Sequence, residues 1–306
     1  MLSAKPWKSE AIVRLLLGVF ICFFAGSLLV TGLYQARGGI KGHASVFWFG
    51  AGALVFLAAT LVLLRQPWNF EKSIRRVVVL VAFLYAGLFL GAWAQQVAGP
   101  VPAGISVEQM LIATLSFQGA TILLIGFLLR QHQVSWAEAF GFTNRASYAV
   151  LFGLIALGLV LPLVLGLQWA TVELMQRIPY FPIKPVEQQA VQTLRIATSW
   201  VDRLALASVT ILLVPLGEEM LFRGVLYPWI KQAGFPRLAL WGTSLTFAAI
   251  HQNLAAFLPL LVLALLFTGL YEKTNNLLAS ISAHASFNAM NFVMLYVLEK
   301  QIGQTH

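Results

Sequence analysis

The chain has 306 residues, 59% of them apolar and only 10% charged, with a mean hydropathy of +0.81; an average soluble domain carries about 25% charged residues, so the composition excludes a soluble globular protein. The formal charge of +9 comes from 20 Lys/Arg against 11 Asp/Glu, an excess that in so apolar a chain orients cytoplasmic loops and does not point to nucleic acid. With one cysteine (Cys22) and one aspartate (Asp202), and with no His-Glu-x-x-His or Gly-x-Ser-x-Gly segment, disulfides, cysteine-based metal or redox sites, aspartate-pair proteases and zincins are excluded and a serine hydrolase is disfavoured.

Runs long enough to approach a bilayer span of about 20 residues fall at 11–33, 45–64, 77–94, 110–129, 148–172, 204–226, 238–250, 255–271 and 277–298. Two are short, so the expected fold is an all-α polytopic membrane protein, a bundle of eight or nine transmembrane helices. The first run follows Lys5 and Lys8 as a signal peptide would, but it exceeds the 7–15 residues of a signal core and no Ala-x-Ala site follows, so it reads as an anchor. With nine spans and the N-terminus inside, the inner side holds twelve basic residues (Lys5, Lys8, Arg14, Arg65, Lys72, Arg75, Arg76, Arg130, Arg145, Lys231, Arg237, Lys273). The outer side holds seven (Arg37, Lys41, Arg177, Lys184, Arg195, Arg203, Lys300). That bias predicts a cytoplasmic N-terminus. The 87–91 segment, Gly-Leu-Phe-Leu-Gly, is a weak helix-packing match.

One extended segment, 173–203, separates the spans. Pro179, Pro182 and Pro185 open it; then Val186, Ala190, Leu194, Ala197, Val201 and Leu204 recur every three or four residues. That stripe predicts either a helix lying on the membrane surface or a linker helix packed on the bundle.

Ionisable groups inside spans cost about 2.5–3.5 kcal/mol each to insert and so mark function. Arg14 and Glu108 lie near span ends; the rest concentrates after residue 204. Glu218 and Glu219 sit together in an apolar run, and Glu219 lies about 40° from Arg223 on a helix, close enough to pair. The plainer alternative is that Pro215 starts a new helix with both glutamates in its positive first turn. On the 238–250 span, Ser244, Phe247 and His251 share a face, although a single histidine at a span end is often only an interface residue. On the last span, Ser280, His284, Asn288 and Asn291 form a polar stripe that must face the bundle interior. Interhelical glue explains the serines but not a mid-span histidine. Together these groups suffice for amide hydrolysis without serine, cysteine or aspartate: glutamate takes a proton from water, histidine relays it, and a histidine and an amide donate to an oxyanion. The same carboxylate and imidazole groups would also make a tolerable metal site, so a metal is left open, with no cofactor otherwise implied.

The ordered motifs Glu-Glu-x-x-x-Arg (Glu218, Glu219, Arg223), Phe-x-x-x-His (Phe247, His251) and His-x-x-x-Asn (His284, Asn288) resemble those of the CPBP family, the type II CAAX prenyl endopeptidases and their bacterial Abi-type relatives. The resemblance covers about residues 204–299. It implies a catalytic helical core there, with 1–203 as accessory transmembrane helices and an interfacial segment. It implies an intramembrane glutamate-dependent endopeptidase in which Glu218 and His251 activate water, His284 and Asn288 stabilise the oxyanion, and Glu219 and Arg223 position the site. The expected partners are the lipid bilayer and a membrane-associated peptide or protein, in a bacterial inner or plasma membrane. A non-catalytic scaffold or bacteriocin-immunity factor on the same helices is the second reading. A proton-coupled transporter is the third, disfavoured because no inverted repeat is visible.

Overall fold

A computed structural model describes residues 5–36, 106–142, 145–177, 189–197, 199–251 and 253–302. Among these the regular structure is entirely helical: α1 (Ser9–Ala36), α2 (Val107–Gln131), α3 (Trp136–Phe140), α4 (Ala146–Arg177), α5 (Gln189–Ile196), α6 (Trp200–Gln232), α7 (Pro236–Ile250), α8 (Leu254–Thr274) and α9 (Leu278–Ile302). Five stretches are long and apolar enough to cross a membrane: Ser9–Gly32 of α1, and α2, α4, α6 and α8. This is an integral membrane protein, but the count of eight or nine spans is not reached among the described residues. The runs at 45–64 and 77–94, with the glycine pair at 87–91, lie outside them. Helix α7 has 15 residues, roughly 22 Å, short of a ~30 Å hydrocarbon core. Helix α9 has 25 residues but interrupts its apolar sequence with the polar stripe.

Helix α6 does not restart at Pro215. It runs unbroken for 33 residues through two π turns, Val209–Leu213 and Met220–Leu226, and each is followed closely by a proline, Pro215 and Pro228. A proline ring inside an α-helix collides with the carbonyl four residues back. Here those carbonyls belong to Ile211 and Gly224, within the widened turns, so the helix absorbs both prolines without ending. Because α6 ends at Gln232, beyond the predicted 226, Glu218 and Glu219 lie near its middle. No helix N-terminus offsets their charge.

Close approaches set the packing. Helices α4, α8 and α9 meet through Ala149, Leu157, Val164, Leu263, Phe267, Leu270, Ala279 and Ala283; a Cβ on Gly153 would lie 2.2 Å from the Ala279 carbonyl oxygen. Helices α6, α7 and α8 share a cluster built on Leu221, Phe222, Phe247, Ala248, Leu260 and Ala264. Apolar side chains such as Leu123, Leu159 and Trp169 face outward, where lipid is the solvent.

The predicted stripe after residue 173 divides in two. Leu194 and Ala197 are buried with Leu206 against Val107, Met110, Phe292 and Leu295, so α5 packs on the bundle as a linker helix. Val201 and Leu204 are exposed, because the chain turns at Ser199, whose side chain caps α6 by accepting from the Asp202 amide. Val186 and the three prolines lie outside the described residues. At the other end of the molecule, Ser135 caps α3 and its backbone and side-chain hydrogen bonds hold the Glu138 carboxyl below its ordinary range. Nearby Lys5 is buried, donates to Ala139 O at 2.5 Å, and is pushed by desolvation down to about 8.

Candidate active site

The middle of α6 carries the charge. Glu219 is fully buried; its Oε1 accepts from Arg223 Nη1 at 2.9 Å and from His284 Nδ1 at 2.9 Å. Arg223, one turn later and equally buried, donates its other terminal nitrogen to Ala264 O of α8 at 3.1 Å. Its guanidinium lies 4.4 Å from the Phe247 ring centroid and 5.4 Å from that of Phe267. The same two rings enclose His284: Phe267 stacks on it at 5.0 Å and Phe247 meets it edge-on at 5.9 Å. A buried guanidinium is thus matched by a carboxylate, a carbonyl and two aromatic faces, the combination such a charge needs away from water.

Glu218 points elsewhere, as its 100° offset from Glu219 requires. Its Oε1 accepts from Gln118 Nε2 of α2 at 3.3 Å. Its Oε2 is buried without a hydrogen-bond partner among the described residues and lies 3.9 Å from His284 Nε2. Since Nδ1 of His284 bonds a carboxylate, that nitrogen carries the proton and Nε2 is the one presented to Glu218. Glu219 Oε2, Arg223 Nε and Ser244 Oγ are likewise buried with no hydrogen-bond partner among the described residues. One guanidinium stands against two carboxyl groups.

The structure therefore brings Glu218, Glu219, Arg223, Phe247 and His284 into one connected group on α6, α7 and α9. His251 joins it through Phe247, whose ring is 4.9 Å away and whose carbonyl meets His251 Nδ1 at 2.7 Å; this leaves Nε2 as the ring nitrogen not engaged by that bond. Asn288, one turn beyond His284, donates Nδ2 to Thr210 O at 2.9 Å. Thr210 belongs to the first π turn of α6, where the shifted backbone pattern leaves a carbonyl available to a side chain. Among the described residues no three His, Cys, Asp or Glu side chains are arranged to hold a metal ion.

Sequence reasoning missed Gln118, Phe267 and the carbonyls of Ala264 and Thr210. Gln118 had a signal: it is an amide in the middle of the apolar run 110–129, though it carries no charge. The backbone partners had none.

Residues 200–290 match the family model described as type II CAAX prenyl endopeptidase Rce1-like, and all seven residues of the three motifs fall inside that stretch. The chain is also 35% identical over 78 residues to UPF0177 protein YxdF of Lactococcus lactis subsp. lactis. That similarity covers 25% of this chain and 42% of the relative, so the chain spans less than half of the relative's length. No solved structure matches the chain. Over residues 200–290, the helices that hold the buried glutamates and His284 are therefore the part of the chain that is similar to the Rce1-like, type II CAAX prenyl endopeptidase family model.

Proposed function

We propose that the protein is an intramembrane endopeptidase that hydrolyses a peptide bond of a membrane-associated substrate with Glu218 as general base. The observation that carries this reading is the buried Glu218 Oε2, which has no hydrogen-bond partner among the described residues and lies 3.9 Å from His284 Nε2, a separation that a single water oxygen bonded to both atoms would span. Glu218 takes the proton as that oxygen attacks the carbonyl, and later returns it to the leaving amine. The family pattern gives His251 a share in activating the water and gives the developing oxyanion to Asn288 and to His284, the latter donating from Nε2 only when that nitrogen also bears a proton. Glu219 supports this by fixing the ring of His284 at Nδ1, and Arg223 holds Glu219. A helical substrate has to unwind locally, since its carbonyls are otherwise engaged in backbone hydrogen bonds.

The same reading assigns catalysis to 204–299 and an accessory role to 1–203. It sets the chain in a bacterial plasma membrane with its N-terminus in the cytoplasm, supported by the Lactococcus relative and the basic loops. The test compares native membranes containing the wild-type chain with membranes containing Glu218→Gln, by unbiased peptide sequencing. Loss of a general base costs about 10²–10⁴ in rate, so cleavage products present with the wild type should vanish with the variant. Identical peptide profiles would sink the endopeptidase reading.

A further inference from the structure

We propose that Gln118, which lies outside the 200–290 family segment, is a positioning residue for Glu218; this rests on the reading of Glu218 as the base. Gln118 sits on a π turn, Leu115–Gly119, in the middle of α2 and is buried. Its Nε2 donates to Glu218 Oε1 at 3.3 Å across 100 residues of sequence. The neighbouring residue on α6 is Gly217, where a Cβ would lie 2.9 Å from Gln118 Cβ and 3.1 Å from its Cα. Any side chain there would push α2 away, so the glycine permits the approach that brings the amide to the carboxylate.

An amide is suited to this task. It donates but has no proton to exchange with the reaction, so it occupies Oε1 and leaves Oε2, on the side of His284, as the oxygen that takes the proton. It adds no charge to a pocket that already holds two carboxyl groups and one guanidinium. It also blocks rotation of the carboxyl group, whose terminal torsion is otherwise broad. The π turn has a place in this arrangement too, since it re-aims one side chain without breaking the helix, as such turns commonly do at functional sites.

The test uses the purified full-length chain and a peptide that the wild type cleaves. Gln118→Leu and the unbranched Gln118→Met, either of which suffices if the other does not fold, should lower kcat ~10- to 100-fold, the loss expected for one hydrogen bond to a charged group, with KM within about twofold. Thermal midpoints supply a readout independent of activity. The ~3–10 °C drop expected from losing a bond of that strength should disappear or reverse in a Glu218→Ala background, because the partner is gone. Unchanged kcat, a rise in KM alone, or equal midpoint drops in both backgrounds would overturn the proposal. If the wild type cleaves no peptide, the endopeptidase reading fails, and the coupling of midpoints still decides whether Gln118 holds Glu218.

Discussion

Arg223 shows how far one side chain commits this core. It is 1% exposed, ion-paired at 2.9 Å to a glutamate that is fully buried, and faced by two aromatic rings. Removing one member of such a pair leaves a buried charge without compensation, which costs about 3–5 kcal/mol. Arg223→Met should therefore lower the thermal midpoint of the purified protein sharply, and adding Glu219→Gln should recover much of the loss because the carboxylate that Arg223 paired is then gone; a single variant as stable as the wild type would contradict the pair. Arg223 and Glu219 were legible as partners in the sequence because a separation of four residues on a helix fixes their proximity. The bond from His284 to Glu219 was not, since it joins residues 65 positions apart and depends on how α9 crosses α6. Gln118 was hidden for the same reason: polarity in a span signals that something must satisfy it, without naming the partner.

At the scale of elements, apolar run lengths located the five candidate spans among the described residues, because a bilayer imposes one length on every crossing helix; the runs at 238–250 and 277–298 form helices that are not among those five. The π turns of α2 and α6 were not legible, since the residues in them, such as Val209–Leu213, are ordinary span residues; only in α6 do following prolines, Pro215 and Pro228, hint at a changed turn. Helix contact is where small changes should register. Gly153 of α4 has the Ala279 carbonyl oxygen 2.2 Å from where its Cβ would be, and that atom is backbone, which cannot rotate aside. Gly158, five residues along the same helix, has nothing within 4 Å. Gly153→Ala should destabilise the protein by about 1–3 kcal/mol through overpacking. Gly158→Ala should be neutral, or stabilising by up to about 1 kcal/mol through helix propensity. Thermal unfolding of the two variants side by side separates packing from propensity, and equal effects would mean that α4 does not approach α9 as described.

Across the whole molecule, the ends of several helices converge on one side. Lys5 reaches Ala139 O beside α3, Ser9 Oγ accepts from Trp229 Nε1 of α6, Lys231 pairs with Glu272 of α8, and the Leu277 amide donates to Phe140 O. At the far side Gln109, in the first turn of α2, donates to Val30 O near the end of α1, so these two helices run antiparallel. Lys5, Lys8, Arg130, Arg145, Lys231, Arg237 and Lys273 thus lie on or beside the converging ends, whereas Arg177 and Arg195 close or follow helices on the opposite side. The contacts group the basic loops as the parity of predicted spans does, and they do so independently of the count of spans. Because basic residues near span ends are retained in the cytoplasm, the converging side should face inward. In a chain whose sole cysteine has been removed by Cys22→Ala, Arg130→Cys and Arg177→Cys place a thiol at opposite ends, both at exposed positions. A membrane-impermeant maleimide added to intact cells should label the second and reach the first only after permeabilisation. The reverse pattern would invert the molecule and place the N-terminus outside the cytoplasm.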